Sequence, residues 1–471
     1  METLTGKFQA DVQMLDDVFG IGRNYDISGR ALVIGGKNAH LYFLDGYGKD
    51  VVIERILAFI LSLTPQQMRT VRDMDQFASH FGTYGETVTE NQMEPIVTSL
   101  LLGKCVLLIE GMDRALLFDA KAYPTRGVQE PTDGKVLRGS HDGFTEIVKQ
   151  NSALIRRRIR DPKLVMENHR VGSRSKTDVV LCYLDDKVDR PALEQIRLRL
   201  AKIDVSSISM GQESIAEAMH RPQWFNPFPR VRYTERPDAA AASVMEGSIV
   251  LMVDNSPSVM ILPTSFFDFI QETNDFYFPP LVGTYLRFVR FFVFLASLVV
   301  TPVWYLAMMN PERIPPYLAF IGIEEPNGVP LLLQLLLLEL IVDLLKLASL
   351  NTPDVLSTSF SMLGALILGD FAVRANWLVP EVLVYIAFVA IANFAQPSFE
   401  LGYAFKLMRV LLLILSAIFS IWGFIGGIII MLVLIATTEP LAGHYLYPLY
   451  PFNWKAMKHL LFRQPINRDN T

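Results

Sequence analysis

Residues 286–309 read LRFVRFFVFLASLVVTPVWYLAMM. At about 1.5 Å per residue, an apolar run of this length crosses a bilayer core of about 30 Å. Two cations at its start, Arg287 and Arg290, keep the preceding chain on the cytosolic side by the positive-inside rule. Pro302 predicts a kink, tolerated where neighbouring helices or water satisfy the freed carbonyl.

Charge is distributed to match. The 471 residues include 43 Lys and Arg and 48 Asp and Glu, yet only 17 of these charges lie between Arg287 and Glu439. A hydrophobic share of 51% with mean hydropathy of +0.29 is too apolar for an ordinary soluble chain. The expected architecture is an α/β cytosolic region of two similar subdomains, 1–138 and 139–283, followed by an all-α polytopic membrane domain over 284–453 and a basic cytosolic tail over 454–471. The opening METLTGKFQADVQMLDDVFG carries acids and no signal-length apolar run, so the N-terminal region is expected to stay in the cytosol.

Within the cytosolic region, ALVIGGKNAHLYFLDGYGKD (31–50) followed by VVIERILAFILSL (51–63) reads as strand, turn at Asp45-Gly46, and helix. TDVVLCYLDDKVDRPALEQIRLRLAKI (177–203) repeats the plan, with a turn at Asp185-Asp186 and Pro191 opening the helix. Asp45 and Asp185 are 140 positions apart. CVLLIEGMDRALLFDA (105–120) and IVLMVDNSPSVMILP (249–263) both read as hairpins after helices ending near Gly103 and Gly247, with Glu110 and Asp254 at a spacing of 144. Two subdomains of one plan follow from these paired offsets.

Between them lies the most basic stretch, where Phe144, Ile147, Val148, Leu154, Ile155 and Ile159 predict an amphipathic helix flanked by Arg156, Arg157, Arg158 and Arg160. The plainest reading is a solvated face paired with nearby acids, or an interface with another subunit; binding of anions or lipid headgroups is the alternative. A net charge of −5 and the absence of any RNA or DNA motif argue against nucleic-acid binding. The Pro-rich HRPQWFNPFPRVRYTERPD reads as an ordered surface loop or a lever between subdomains.

No GxxxxGKS/T, GxSxG, HExxH or strand-borne GxGxxG occurs, and the 7 histidines are scattered, so no enzyme, cofactor or metal site is expected. Cys105 and Cys182 lie in apolar runs without a CxxC or His partner pattern and read as buried core thiols.

Beyond the first span, PLLLQLLLLELIVDLLKLASL (330–350) carries Glu339, Asp343 and Lys346 on one helical face. Such a stripe cannot face lipid tails. It lies in the interface, packs inside an assembly against a water-filled path, or is neutralised by pairing with Lys346 along the helix. DVLSTSFSMLGALILGDFAVRANW (354–377) lines up Ser357, Ser361, Gly364 and Leu368, with Thr358 and Ala365 beside them, between Asp354 and Asp370. Small and hydroxyl residues suit close helix packing or a narrow pore; in a ring of identical subunits the two aspartates make acidic rings that favour cations. EVLVYIAFVAIANFAQP (381–397) and MRVLLLILSAIFSIWGFIGGIIIMLVLIATTE (408–439) follow, the second read as one tilted helix or a hairpin turning at Gly426-Gly427. Lys455, Lys458, Arg463 and Arg468 favour a cytosolic tail and an even number of crossings. Four are expected if 331–350 is interfacial, six if it spans and the last stretch is a hairpin, and four is the preferred count.

RGSHDGFTEIVKQNSALIRRRIRDPKLV (138–165), PFPRVRYTERPDAAAASVMEGSIVLMVDNSPSVMILPTSFFDFIQETNDFY (227–277) and the membrane segments in order resemble the GerA family of spore germination proteins, in particular its A-type subunits and the SpoVAF branch. The likeness runs from about Asp16 to Arg463. Asn255 departs from it, standing where family members commonly have Gly, and a tight turn tolerates Asn there.

The resemblance implies a multi-pass protein of the spore inner membrane with its N-terminal region on the core side. It further implies a homo-oligomer, a pentamer, whose helices conduct monovalent cations during nutrient-triggered germination, with the Ser357 to Leu368 helix as pore lining. On that model the arginine helix sits at a subunit junction, nutrient binding belongs to a separate subunit, and other germination membrane proteins are partners. A non-conducting scaffold that clusters germination receptors is the alternative, and a solute transporter, which would need inverted repeats and broken helices, a third.

Overall fold

The computed structural model describes residues 3–47, 50–82, 87–120, 142–220, 223–272, 275, 277–350 and 372–463. The chain divides into two compact units. One comprises Met1–Pro222, Val231–Thr264 and Leu441–Gly443; the other comprises Gln223–Arg230, Ser265–Pro440 and His444–Thr471. The expected boundary at residue 283 therefore moves back to Thr264. The reason is local: the Ser265 cap and the apolar Phe266 and Phe269 that follow pack with the helical unit's aromatic core.

The first unit holds two α/β halves. Its first half runs α1 (Phe8–Phe19), β1 (Ile27–Ile34), β2 (Lys37–Leu44), α2 (Asp50–Leu61), α3 (Pro65–Arg69), α4 (Met74–Phe81), β3 (Thr87–Glu90), α5 (Met93–Leu101), β4 (Lys104–Ile109) and β5 (Ala115–Asp119). The second runs α6 (Val148–Arg158), β6 (Leu164–Val171), β7 (Thr177–Leu184), α7 (Arg190–Ala201), α8 (Gln212–Met219), β8 (Arg232–Thr234), α9 (Pro237–Met245), β9 (Ile249–Val253) and β10 (Val259–Leu262). Strand orders are β1-β2-β4-β5-β3 and β6-β7-β9-β10-β8, the same topology twice, with antiparallel pairing throughout. The two related halves expected from the repeated offsets are present.

Each sheet is buried on both faces, so its central strands read as continuous apolar runs with no polar alternation. In β7, Val179, Leu181 and Tyr183 pack with α7 and α8, whereas Val180, Cys182 and Leu184 face α6 and α9. Both cysteines are free and buried. The helices before the central hairpins end where foreseen, with Gly103 at φ 91° and Gly247 at φ 100°. A Cβ at Gly247 would come 2.8 Å from the Lys187 carbonyl, so space as well as φ selects glycine. The hairpin turns hold Gly111 at φ 79° and Asn255 at φ 62°, and Asn is among the few residues that tolerate the left-handed region.

Two local readings are corrected. ALVIGG is the end of β1, and Gly35-Gly36 turns the chain into β2, so the segment is a hairpin where one strand was expected. Tyr233 lies in the short edge strand β8 and Pro237 opens α9, so only the earlier part of the Pro-rich passage is loop.

The second unit contains α10 (Pro280–Met309), α11 (Leu331–Leu350), α12 (Pro380–Phe394), α13 (Phe399–Ala436) and α14 (Trp454–Leu461). Among the described residues, α10 is long and apolar enough to cross a bilayer by length and composition, and α13 meets the same test when its 38 residues are taken as one helix. Pro302 lies inside α10 as expected. α13 is not one tilted rod. Ser420 breaks it with φ 54° and ψ −137°, and a Cβ on Gly427 would lie 2.5 Å from Leu412. In a straight helix those positions would be about 22 Å apart. α13 is a helical hairpin that turns at Ser420, ahead of the Gly426-Gly427 position expected from sequence.

Candidate functional site

In the helical unit the usual distribution of polarity is inverted. Phe291, Phe292 and Leu295 on α10, and Ile418, Phe419 and Trp422 on α13, are exposed, while Glu339, Lys406 and Arg409 are buried. Extended apolar surface around buried charge is what a bilayer, as solvent, requires.

The buried charges form one cluster. Arg409 on the first arm of α13 grips Glu339 of α11 with both prongs of its guanidinium, Nε to Oε1 at 2.7 Å and Nη2 to Oε2 at 3.0 Å. Its remaining nitrogen, Nη1, donates to the Ser297 carbonyl of α10 at 2.9 Å. Lys406, one turn away, donates to the Glu339 carbonyl at 2.8 Å and pairs with Asp343 Oδ2 at 2.5 Å. One pair of cations thereby ties three helices together. Lys346 lies over the rings of Phe394 and Tyr403, 5.0 and 5.3 Å from their centroids, where ring quadrupoles attract an ammonium.

The charged face of Glu339, Asp343 and Lys346 thus points into the unit. The close partners of both carboxylates come from α13, Arg409 for Glu339 and Lys406 for Asp343. Lys406 and Arg409 were not singled out from the sequence. Their three-residue spacing inside an otherwise apolar stretch complements the four-residue spacing of Glu339 and Asp343, and that was the available signal. Among the described residues of the helical unit, Asp343 Oδ1, Thr301 Oγ1 and Ser416 Oγ are buried polar atoms with no hydrogen-bond partner.

At the start of α10, Arg287 and Arg290 both bind the fully buried Asp275, Arg290 at 2.9 and 3.0 Å. Arg287 Nη1 also donates to the carbonyls of His459 and Leu460, capping the last turn of α14 with a cation as the helix dipole favours. These arginines therefore clamp structure.

The arginine helix of the first unit divides by residue. Arg156 is 1% exposed and makes a two-pronged pair with Asp26 at 2.8 and 2.9 Å, plus a bond to the Leu164 carbonyl at 3.0 Å. Burial favours loss of its proton, but Asp26 outweighs it and raises the guanidinium's affinity for the proton. Arg156 joins the two halves of a single chain, along with Asn24 Oδ1 accepting from the Met166 amide, and so cannot be a contact to a second subunit. Arg158 is half-buried against Asp142; Arg157 and Arg160 are exposed. The candidate pore residues Asp354, Ser357, Thr358, Ser361, Gly364, Ala365, Leu368 and Asp370 lie outside the described residues.

A large α/β unit joined to a helical unit that is apolar outside and charged inside defines a membrane-associated protein with an extensive polar region. The sequence profile described as Bacillus/Clostridium GerA spore germination protein matches residues 13–471, and the chain belongs to this family. It is 37% identical over 455 residues to stage V sporulation protein AF of Bacillus subtilis (strain 168), covering 94% of this chain and 90% of that one. Identity to spore germination protein KA of the same organism is 31% over 451 residues, with coverage of 94% and 82%. The N-terminal domain of the A subunit of the Bacillus megaterium spore germinant receptor GerK3 is a similar solved structure, with a TM-score of 0.44 and 25% identity over 56% of this chain and 98% of that chain.

Proposed function

We propose that this protein is the subunit of an oligomeric cation channel in the spore inner membrane, a ring of identical chains that releases monovalent ions during nutrient-triggered germination. The observation that carries the reading is the Glu339–Lys406–Arg409–Asp343 cluster. Charges held at bilayer depth are costly, and they persist chiefly where an ion path or assembly uses them. Relatives named for germination and sporulation support the germination part of the reading. In this reading the helix with Ser357, Ser361, Gly364 and Leu368 lines the pore, Asp354 and Asp370 attract cations at its ends, and the α/β unit assembles and gates the ring.

Potassium efflux from liposomes carrying the purified full chain tests it. Wild type conducts selectively for cations, Ser361→Lys suppresses flux by charge repulsion in the lumen, and Asp354→Asn lowers selectivity. A folded oligomer that passes no ion, and whose receptor clustering survives both substitutions, contradicts the channel and leaves a scaffold.

A further inference from the structure

The C-terminal helix α14 carries a face that the channel reading does not use. Asn453 caps it, accepting from the Ala456 amide at 3.2 Å, and its half-buried side, Met457 and Leu460, turns inward. Its other side exposes Trp454 (58%), Lys455 and Lys458, continued by Phe452 (65%) stacked on Trp454 at 6.2 Å. Lys458 lies 5.7 Å from the Trp454 ring centroid. Exposed aromatic and basic side chains are thus gathered on one short element.

Position assigns the partner. Arg287 holds the α14 carbonyls, the Arg463 amide donates to Thr284 Oγ1 at 3.1 Å, and Phe288 meets Phe462 edge-on at 5.8 Å. These contacts fix α14 beside the last charged turns of α10, immediately before its apolar run begins. In a bilayer-spanning helix that is the headgroup level, where tryptophan rings partition and lysines meet anionic lipid.

We propose that the Phe452, Trp454, Lys455 and Lys458 face of α14 binds the headgroups of anionic phospholipids in the bilayer that α10 crosses. The two ammonium groups pair with lipid phosphates while the stacked rings sit at the boundary with the acyl chains. The inference rests on the reading of α10 as a span.

The full chain, reconstituted in equimolar phosphatidylcholine and phosphatidylglycerol, tests it with one lipid at a time brominated near the headgroup. Trp454 emission is the difference between wild type and Trp454→Phe. Brominated phosphatidylglycerol should quench it more than brominated phosphatidylcholine. Lys455→Gln and Lys458→Gln should each weaken the preference roughly fivefold, the worth of one lysine at an anionic surface. Equal quenching by both lipids overturns the proposal. So does quenching of the other tryptophans without Trp454, which would mean that a second copy or water covers the face. If neither lipid quenches any tryptophan, the span reading of α10 fails and the proposal falls with it.

Discussion

Arg156 and Asp26 lie 130 positions apart in sequence and share almost no solvent. A buried ion pair adds little net stability over an apolar pair, but removing one partner leaves a charge without compensation and costs about 3–5 kcal/mol. Arg156→Ala should therefore lower the stability of the folded chain by about that much, while Arg156→Met combined with Asp26→Leu should recover most of it, as measured by denaturant unfolding. An exposed arginine helix would give neither result. Glu167 provides a pH-dependent counterpart. Burial pushes its carboxyl up, but hydrogen bonds from Arg197 and Tyr183, with the His169 ring 3.7 Å away, outweigh this and hold it at about 2, against an ordinary 4.5. With the folded value depressed, its contribution is complete above pH 4.5 and is lost as the pH falls toward 2. The difference in melting temperature between wild type and Glu167→Gln should stay constant from pH 7 to pH 5 and shrink below that.

At the scale of elements, the hairpin of α13 depends on glycines that face its own first arm. A Cβ at Gly423 would lie 1.9 Å from the Leu415 carbonyl, whereas nothing stands within 4 Å of one at Gly426. Gly423→Ala should therefore destabilise the helical unit by about 1–3 kcal/mol or abolish folding, while Gly426→Ala is tolerated; thermal unfolding in detergent distinguishes them. This turn was not legible in the sequence. Ser420 is no turn signal amid Ile, Phe and Trp, and the Gly-Gly pair six residues later drew the reading instead. Strand and hairpin positions in the α/β unit were legible, because apolar runs there end at Gly46, Gly103, Gly111, Gly247 and Asn255, whose positive φ values the fold requires. The first strand of each sheet was harder, since Ser28, Gly29 and Arg30 break the apolar pattern of β1, and Glu167, Asn168 and Arg170 that of β6.

Across the whole molecule, composition alone separated the polar and apolar regions, and the repeated offsets of 140 and 144 exposed the two similar halves. Two things escaped: the change of unit at Thr264, which rests on aromatic packing, and the partners of the charged face. Glu339, Asp343 and Lys346 were identifiable because charges are conspicuous in an apolar helix. Lys406 and Arg409 complete their cluster only after folding brings together positions 67 and 70 residues away. Pairing at that range leaves only the matching spacings of the two charge pairs as a signal in the sequence. Arg156 escaped for the same reason, its guanidinium being spent on Asp26 inside the chain.

The channel claim is tested most directly by placing single cysteines along residues 354–370 and measuring potassium efflux before and after a cationic thiol reagent. Cys105 and Cys182 are silent in this assay, because burial pushes both thiols up to about 12 and only a thiolate reacts. Block should follow one helical face, strong for Ser357→Cys, Ser361→Cys and Leu368→Cys and weak at positions between them. Block without helical periodicity, or an efflux that no position affects, would contradict the account.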